Sequence, residues 1–153
     1  MAAPRAEPSL RARALRYLAQ REHSRAELRR KLARHEPDAA AVESLLDALE
    51  AADLLSAARF TESLVHRRQA RYGNLRIAQE LATHGVDPEA VASHLDALQA
   101  TELARARAAW ARRFGVLPKD AAERARQSRF LSGRGFSAAA IRAVLRGAED
   151  EDV

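Results

Sequence analysis

The chain contains no cysteine in 153 residues, which excludes disulfides and thiolate metal sites and fits a reducing compartment, the cytoplasm. β-Branched residues are few. The 47% hydrophobic content is carried by Ala and Leu, which favours helix over strand. No apolar run reaches the length of a membrane span, and the N-terminus lacks the charged-then-apolar pattern of a signal peptide. The five histidines, His23, His35, His66, His84 and His94, show no metal-ligand spacing. Neither a P-loop nor Gly-x-Ser-x-Gly nor Gly-x-Gly-x-x-Gly occurs. These absences leave no cofactor, no metal and no enzymatic activity to be expected. Aromatics are also scarce: Tyr17 and Tyr72 are the only tyrosines, and Phe60, Phe114, Phe130 and Phe136 read as core. Base stacking is therefore not an expected binding mode.

What is present is a repeat. In the stretch from Gly73 to Leu98, Ile77 and Leu81 mark the apolar face of one helix. Gly85 suits a left-handed C-terminal stop, because glycine adopts positive φ without steric cost. Asp87 can cap the next helix, with Pro88 at its first position. Val91, Leu95 and Leu98 give that helix its stripe. The spacing of Leu81, Val91 and Leu95 recurs in Leu32, Val42 and Leu46, and again in Leu131, Ile141 and Leu145. Asp38, Asp87 and Ser137 hold the same capping position, and Glu36, Gly85 and Gly135 the same stop. The leading leucines lie 49 and 50 residues apart, a period typical of helical arrays. The expectation is an all-α chain of tandem three-helix repeats, each too small to stand alone and so stacked on a shared core.

In chain order, residues 1–9 read as a flexible tail and residues 10–147 as a single helical-repeat domain. A first helix runs from Leu10 to Glu22 with Ala14, Leu15 and Leu18 inward. Repeat 1 spans about 24–72, repeat 2 about 73–118 and repeat 3 about 119–147, with an acidic tail at 148–153. Ser24 and Glu27 form a capping box. Ser56 caps a helix to about Arg71, and another spans about Thr101 to Phe114 with the lone Trp110. Repeat 3 is degenerate, because Gln127 stands where Leu28 and Ile77 stood. His84 suits the negative end of a helix dipole, and Ser132-Gly133-Arg134-Gly135 reads as a C-cap.

Charge is sorted by helix. From Asp38 to Asp53 there are five acids and no Lys or Arg, and from Asp87 to Leu98 three acids and again none. The stretches 25–34, 57–71, 102–114 and 119–134 carry the bases instead. Two readings stay open: a directional basic face, or acidic helices that neutralise basic neighbours. The net charge of +5 points to a polyanionic partner, although arginine-rich composition alone can raise it. The basic constellation is Arg29, Arg30, Lys31 and Arg34, then Arg67, Arg68, Arg71 and Arg76. Arg67 and Arg71 stand one helical turn apart, and Arg76 with Glu80 reads as a local bridge.

Several motifs together resemble a known family. They are Tyr17-Leu18-Ala19-Gln20-Arg21-Glu22-His23-Ser24-Arg25-Ala26-Glu27-Leu28, Arg59-Phe60-Thr61-Glu62-Ser63, and Gly73-x-x-Arg76-Ile77-x-x-Glu80-Leu81-x-x-x-Gly85-Val86. Phe130-Leu131-Ser132-Gly133-Arg134-Gly135-Phe136-Ser137 through Ile141 completes the set. In order and spacing the chain resembles the RecX family, small bacterial modulators of the RecA recombinase. The resemblance implies a curved, elongated stack of three-helix repeats. It implies binding along the RecA–DNA filament, mainly inhibiting ATPase, strand exchange and coprotease activity in DNA repair and the SOS response. It implies a cytoplasmic monomer with weaker, charge-driven contacts to single- and double-stranded DNA and none to membranes. Two departures stand out: Arg34-His35-Glu36 replaces the family's Lys-Gly stop, and Ala57 replaces an acid. Carried over by position, the expected filament contacts are Arg25, Arg29, Lys31, Arg68, Arg71, Arg76 and Arg134. The alternative is a charge-driven nucleic-acid binder independent of RecA.

Overall fold

The computed structural model describes residues 1–147, so the acidic tail expected at 148–153 lies outside the described residues. Among these residues there are nine α-helices and no strand. They are α1 (Leu10–Gln20), α2 (Arg25–Ala33), α3 (Ala39–Ala51), α4 (Ala57–Arg68), α5 (Asn74–Thr83), α6 (Pro88–Gln99), α7 (Glu102–Arg113), α8 (Ala121–Gly133) and α9 (Ala138–Arg146). The repeated restart is built all three times. Asp38 accepts from the Ala40 N–H, Asp87 from Glu89 and Ser137 from Ala140, at 3.0, 3.0 and 3.2 Å. Each bond satisfies an amide that the first turn would leave orphaned. Gly85 and Gly135 follow α5 and α8 at φ 77° and 88°, as a left-handed stop requires. The leading leucines Leu32, Leu81 and Leu131 are all fully buried.

The helices fall into two compact units: Met1–Ser63 with His84–Val86, and Leu64–Thr83 with residues 87–147. In the first unit Ala14, Leu28, Leu32, Val42, Leu46, Leu49 and Leu55 form the core, with Leu10, Tyr17 and Leu18 against it. Leu15, expected to face inward, is instead exposed. The inward stripe of α1 runs through positions 10, 14, 17 and 18, and one residue past Ala14 the helix has already turned about 100° away. The capping box is half formed. Ser24 Oγ accepts from the Glu27 N–H at 3.1 Å, but the Glu27 carboxylate turns to Arg21 at 2.6 and 2.9 Å. His84 does more than face a helix dipole: its Nδ1 lies 3.0 Å from Ser24 Oγ and its ring 4.8 Å from Phe60.

In the second unit α7 packs on α8 and α9 around Ala106, Leu131, Phe136, Ile141, Val144 and Leu145. Gln127 is buried like Leu28 and Ile77, so repeat 3 keeps the position and changes only its chemistry. Its Oε1 accepts from Trp110 Nε1 at 2.8 Å, and its Nε2 donates to the Val116 carbonyl at 3.0 Å. A polar side chain is tolerated there because both ends are bonded. Buried Glu102, the first residue of α7, accepts from the Asn74 N–H at 2.9 Å and from the Ser137 hydroxyl. It therefore joins the N-terminal ends of α5, α7 and α9, where helix dipoles favour negative charge. Beside it, Arg105 donates to the carbonyls of Gln69, Tyr72 and Leu98 and to Asn74 Oδ1. The Gly73 and Leu75 amides donate to the carbonyls of Arg134 and Gly135 at 2.8 and 3.0 Å.

Candidate polyanion-binding surface

Of the two readings of charge sorting, the first unit takes neutralisation. α2 carries Arg25 and Arg29 one turn apart, opposite Glu43, Asp47 and Glu50 of α3. Arg25 reaches Glu43 at 2.7 Å, Asp47 at 2.8 Å and Glu50 at 3.1 Å. Arg29 also pairs with Glu43. Hydrogen bonds from Arg29 and Arg25 hold the Glu43 carboxyl down to about 2, and those to Glu43, Asp47 and Glu50 raise the Arg25 guanidinium. Lys31 is also engaged, with Nζ 2.8 Å from His23 Nε2 and 5.0 Å from the centre of the Tyr17 ring.

The second unit is arranged differently. Arg68 grips Glu80 through Nε at 3.0 Å and Nη2 at 2.9 Å. The local bridge expected between Arg76 and Glu80 is therefore replaced. Arg76 stacks over the Tyr72 ring at 4.2 Å and donates to the Gly133 carbonyl at 3.3 Å. Arg68 and Arg134 flank the same ring at 5.9 and 5.5 Å. α4 stops at Arg68, so Arg71 sits in the following turn rather than on a helical ridge with Arg67.

Arg71 and Arg134 line a cleft of about 630 Å³ with Ala109, Arg112, Arg113 and Phe130. An adjoining cleft of about 290 Å³ is lined by Arg113, Phe114, Arg126 and Phe130. Phe114 and Phe130 meet edge to face at 5.5 Å. Arg113, Arg126 and Arg134 each lie within 5.9 Å of one of those two ring centres. Phe114 and Phe130, expected in the core, are half-buried and form the cleft walls, whereas Phe60 and Phe136 are buried as expected. Among the described residues Arg71, Arg113, Arg126 and Arg134 make no ion pair with a carboxylate. Arg112 spends one nitrogen on the Ala70 carbonyl at 2.9 Å.

Of the seven expected contacts, then, only Arg71 and Arg134 meet in this cleft. Arg112, Arg113 and Arg126 join them without having been singled out by spacing. Their one sequence signal is an Arg-Arg pair directly before Phe114, with Arg126 a turn before Phe130. Planar guanidiniums over aromatic faces present forks that match phosphate or carboxylate oxygens bidentately. No group of three or more His, Asp or Glu side chains suited to a metal ion occurs among the described residues.

Models of the RecX family match the chain three times: its first three-helix domain over residues 11–49, its second over 58–95 and its third over 100–145. The chain belongs to the RecX family. It is 55% identical to the regulatory protein RecX of Ralstonia nicotianae, over 97% of this chain and 94% of that one. It is 53% identical to that of Herminiimonas arsenicoxydans, over 94% and 95% of the two chains. The RecX of Pseudomonas fluorescens SBW25 is 40% identical over 94% of each. The crystal structure of RecX from Lactobacillus salivarius superposes with a TM-score of 0.72 at 20% identity, covering 90% of this chain and 92% of that one. That likeness shows the shared RecX fold. The RecX domains group α1–α3, α4–α6 and α7–α9, so the array is three tandem three-helix domains. No described helix is long and apolar enough to cross a membrane.

Proposed function

We propose that this RecX-family protein regulates the RecA recombinase, binding the RecA–DNA filament as a cytoplasmic monomer and mainly inhibiting its ATPase, strand-exchange and coprotease activities. The observation that carries this reading is the ordered match of all three RecX domains across residues 11–145. Relatives named regulatory protein RecX, at 55% and 53% identity over nearly the whole chain, support it. The basic clefts of the second unit fit a filament whose core is a polyanion.

The test is DNA-dependent ATP hydrolysis by the RecA of the same organism on single-stranded DNA, titrated with this protein. Binding to bare DNA is followed across a salt series in parallel. Inhibition well below one molecule per RecA, at concentrations where bare DNA is unbound, is the expected result. If ATP hydrolysis is unaffected until the DNA itself is coated, filament recognition fails. The charge-driven nucleic-acid binder, which the unpaired arginines favour, then takes its place.

A further inference from the structure

We propose that the paired clefts of the second unit hold the backbone of single-stranded DNA, with Arg71, Arg113, Arg126 and Arg134 taking phosphates and Phe130 offering a face to a base. The proposal rests on the reading above in taking DNA as the polyanion, and it assigns DNA binding to one unit.

The first argument is electrostatic. Three guanidiniums crowd two rings that are themselves 5.5 Å apart, and none has a carboxylate partner among the described residues. Like charges so placed repel, and an approaching row of anions relieves that repulsion. Glu123 lines a further cleft with Arg113 and Arg126, but it accepts from the Lys119 N–H at 2.9 Å and makes no ion pair with either arginine. The first unit shows the contrast, because there Arg25 and Arg29 are matched by acids of α3.

The second argument separates DNA from an acidic protein segment. A carboxylate-bearing peptide needs only the cations. Here Phe130, half-buried, belongs to both clefts, with the guanidiniums of Arg113 and Arg134 5.9 and 5.2 Å from its ring centre, which gives an unstacked base aromatic and planar guanidinium surfaces to lie against. Single-strand binders combine these two elements, a cationic track and a stacking ring. A duplex hides its base faces and would use the arginines alone.

The experiment uses the full chain and a fluorescein-labelled oligothymidylate, with fluorescence anisotropy read across a salt series. Arg113→Ala/Arg126→Ala is expected to flatten the slope of log affinity against log salt by about 0.7 for each phosphate left without its arginine. Arg113→Lys/Arg126→Lys should keep the slope and lose only a few-fold in affinity. Arg25→Ala/Arg29→Ala should keep both. Phe130→Leu should narrow the preference for the oligothymidylate over an abasic strand of equal length. Independently of any variant, bound oligonucleotide should protect Arg113 and Arg126 of the unmodified protein from phenylglyoxal.

A wild-type slope in Arg113→Ala/Arg126→Ala, or absence of protection, overturns the proposal while leaving RecA inhibition by the unmodified protein intact. Competition by polyglutamate as strong as by an oligonucleotide of equal charge overturns it in favour of an acidic protein partner. A flattened slope in a protein that fails to inhibit RecA supports the cleft and removes the RecA reading.

Discussion

His23 is a buried side chain whose titration couples to the fold. Its Nδ1 lies 3.0 Å from the Arg21 carbonyl and its Nε2 2.8 Å from Lys31 Nζ. Lysine can only donate, so Nε2 accepts and Nδ1 carries the proton to the carbonyl: the ring is neutral. Burial lowers its pKa below the ordinary 6.5, against the opposing carbonyl bond; the charges of Arg21 and Lys31 lower it further, and only Glu27 pulls the other way. On acidification the unfolded chain takes up this proton first, so stability falls as pH drops below about 6.5 towards the lower folded value. Thermal melts by circular dichroism should show Tm declining in that window, and His23→Gln should flatten the decline.

Glu27 acts in a separate window. Burial disfavours its charge, but hydrogen bonds and charge from Arg21 outweigh that and hold it down to about 2 from 4.5. Its contribution is complete above the unfolded value and is lost as pH falls from about 4.5 to about 2. Glu27→Gln should remove that second decline and leave the first.

At the scale of elements, the stop-cap-restart unit is what the chain repeats, and its two glycine stops differ in a measurable way. A Cβ on Gly85 would meet nothing within 4 Å, whereas one on Gly135 would come within 2.7 Å of the Arg76 amide nitrogen. Both residues sit at positive φ. Gly85→Ala should therefore cost about 1–2 kcal/mol, the left-handed penalty alone. Gly135→Ala should cost clearly more in urea unfolding, because backbone of α5 must move as well. The helix junction at Glu102 offers another test. Replacing it by Ala orphans the Asn74 amide and the Ser137 hydroxyl, and should cost about 3 kcal/mol in the same assay. Glu102→Gln, which keeps an acceptor, should cost less. The caps of this junction were legible in the sequence, since Ser137 follows a glycine stop in register with Asp38 and Asp87. The role of Glu102 was not, because its partners lie 28 and 35 residues away.

Over the whole molecule, a net charge of +5 does not say where the cations are free. In the first unit Arg25 and Arg29 of α2 are matched by the acids of α3. Exposed pairs of this kind are worth little individually, so Arg25→Ala/Arg29→Ala should change stability by about 1 kcal/mol or less in urea unfolding. In the second unit Arg71, Arg113, Arg126 and Arg134 line clefts without a carboxylate partner among the described residues, so the same kind of change there should alter binding more than stability. Five of the seven arginines and lysines placed by family resemblance, Arg25, Arg29, Lys31, Arg68 and Arg76, are held by neighbours.

Helix content, the repeat period, the caps and the glycine stops are written in near-neighbour spacing, because an N-cap and an i,i+4 stripe are interactions within a few residues. Family membership is legible in the same local motifs. Which arginines are neutralised, why Gln127 is buried, and that Phe114 and Phe130 line a cleft all depend on residues from different helices meeting. Pairing between side chains distant along the chain is set by how the helices pack, and identical arginines become brace or binding surface according to whether a carboxylate stands opposite.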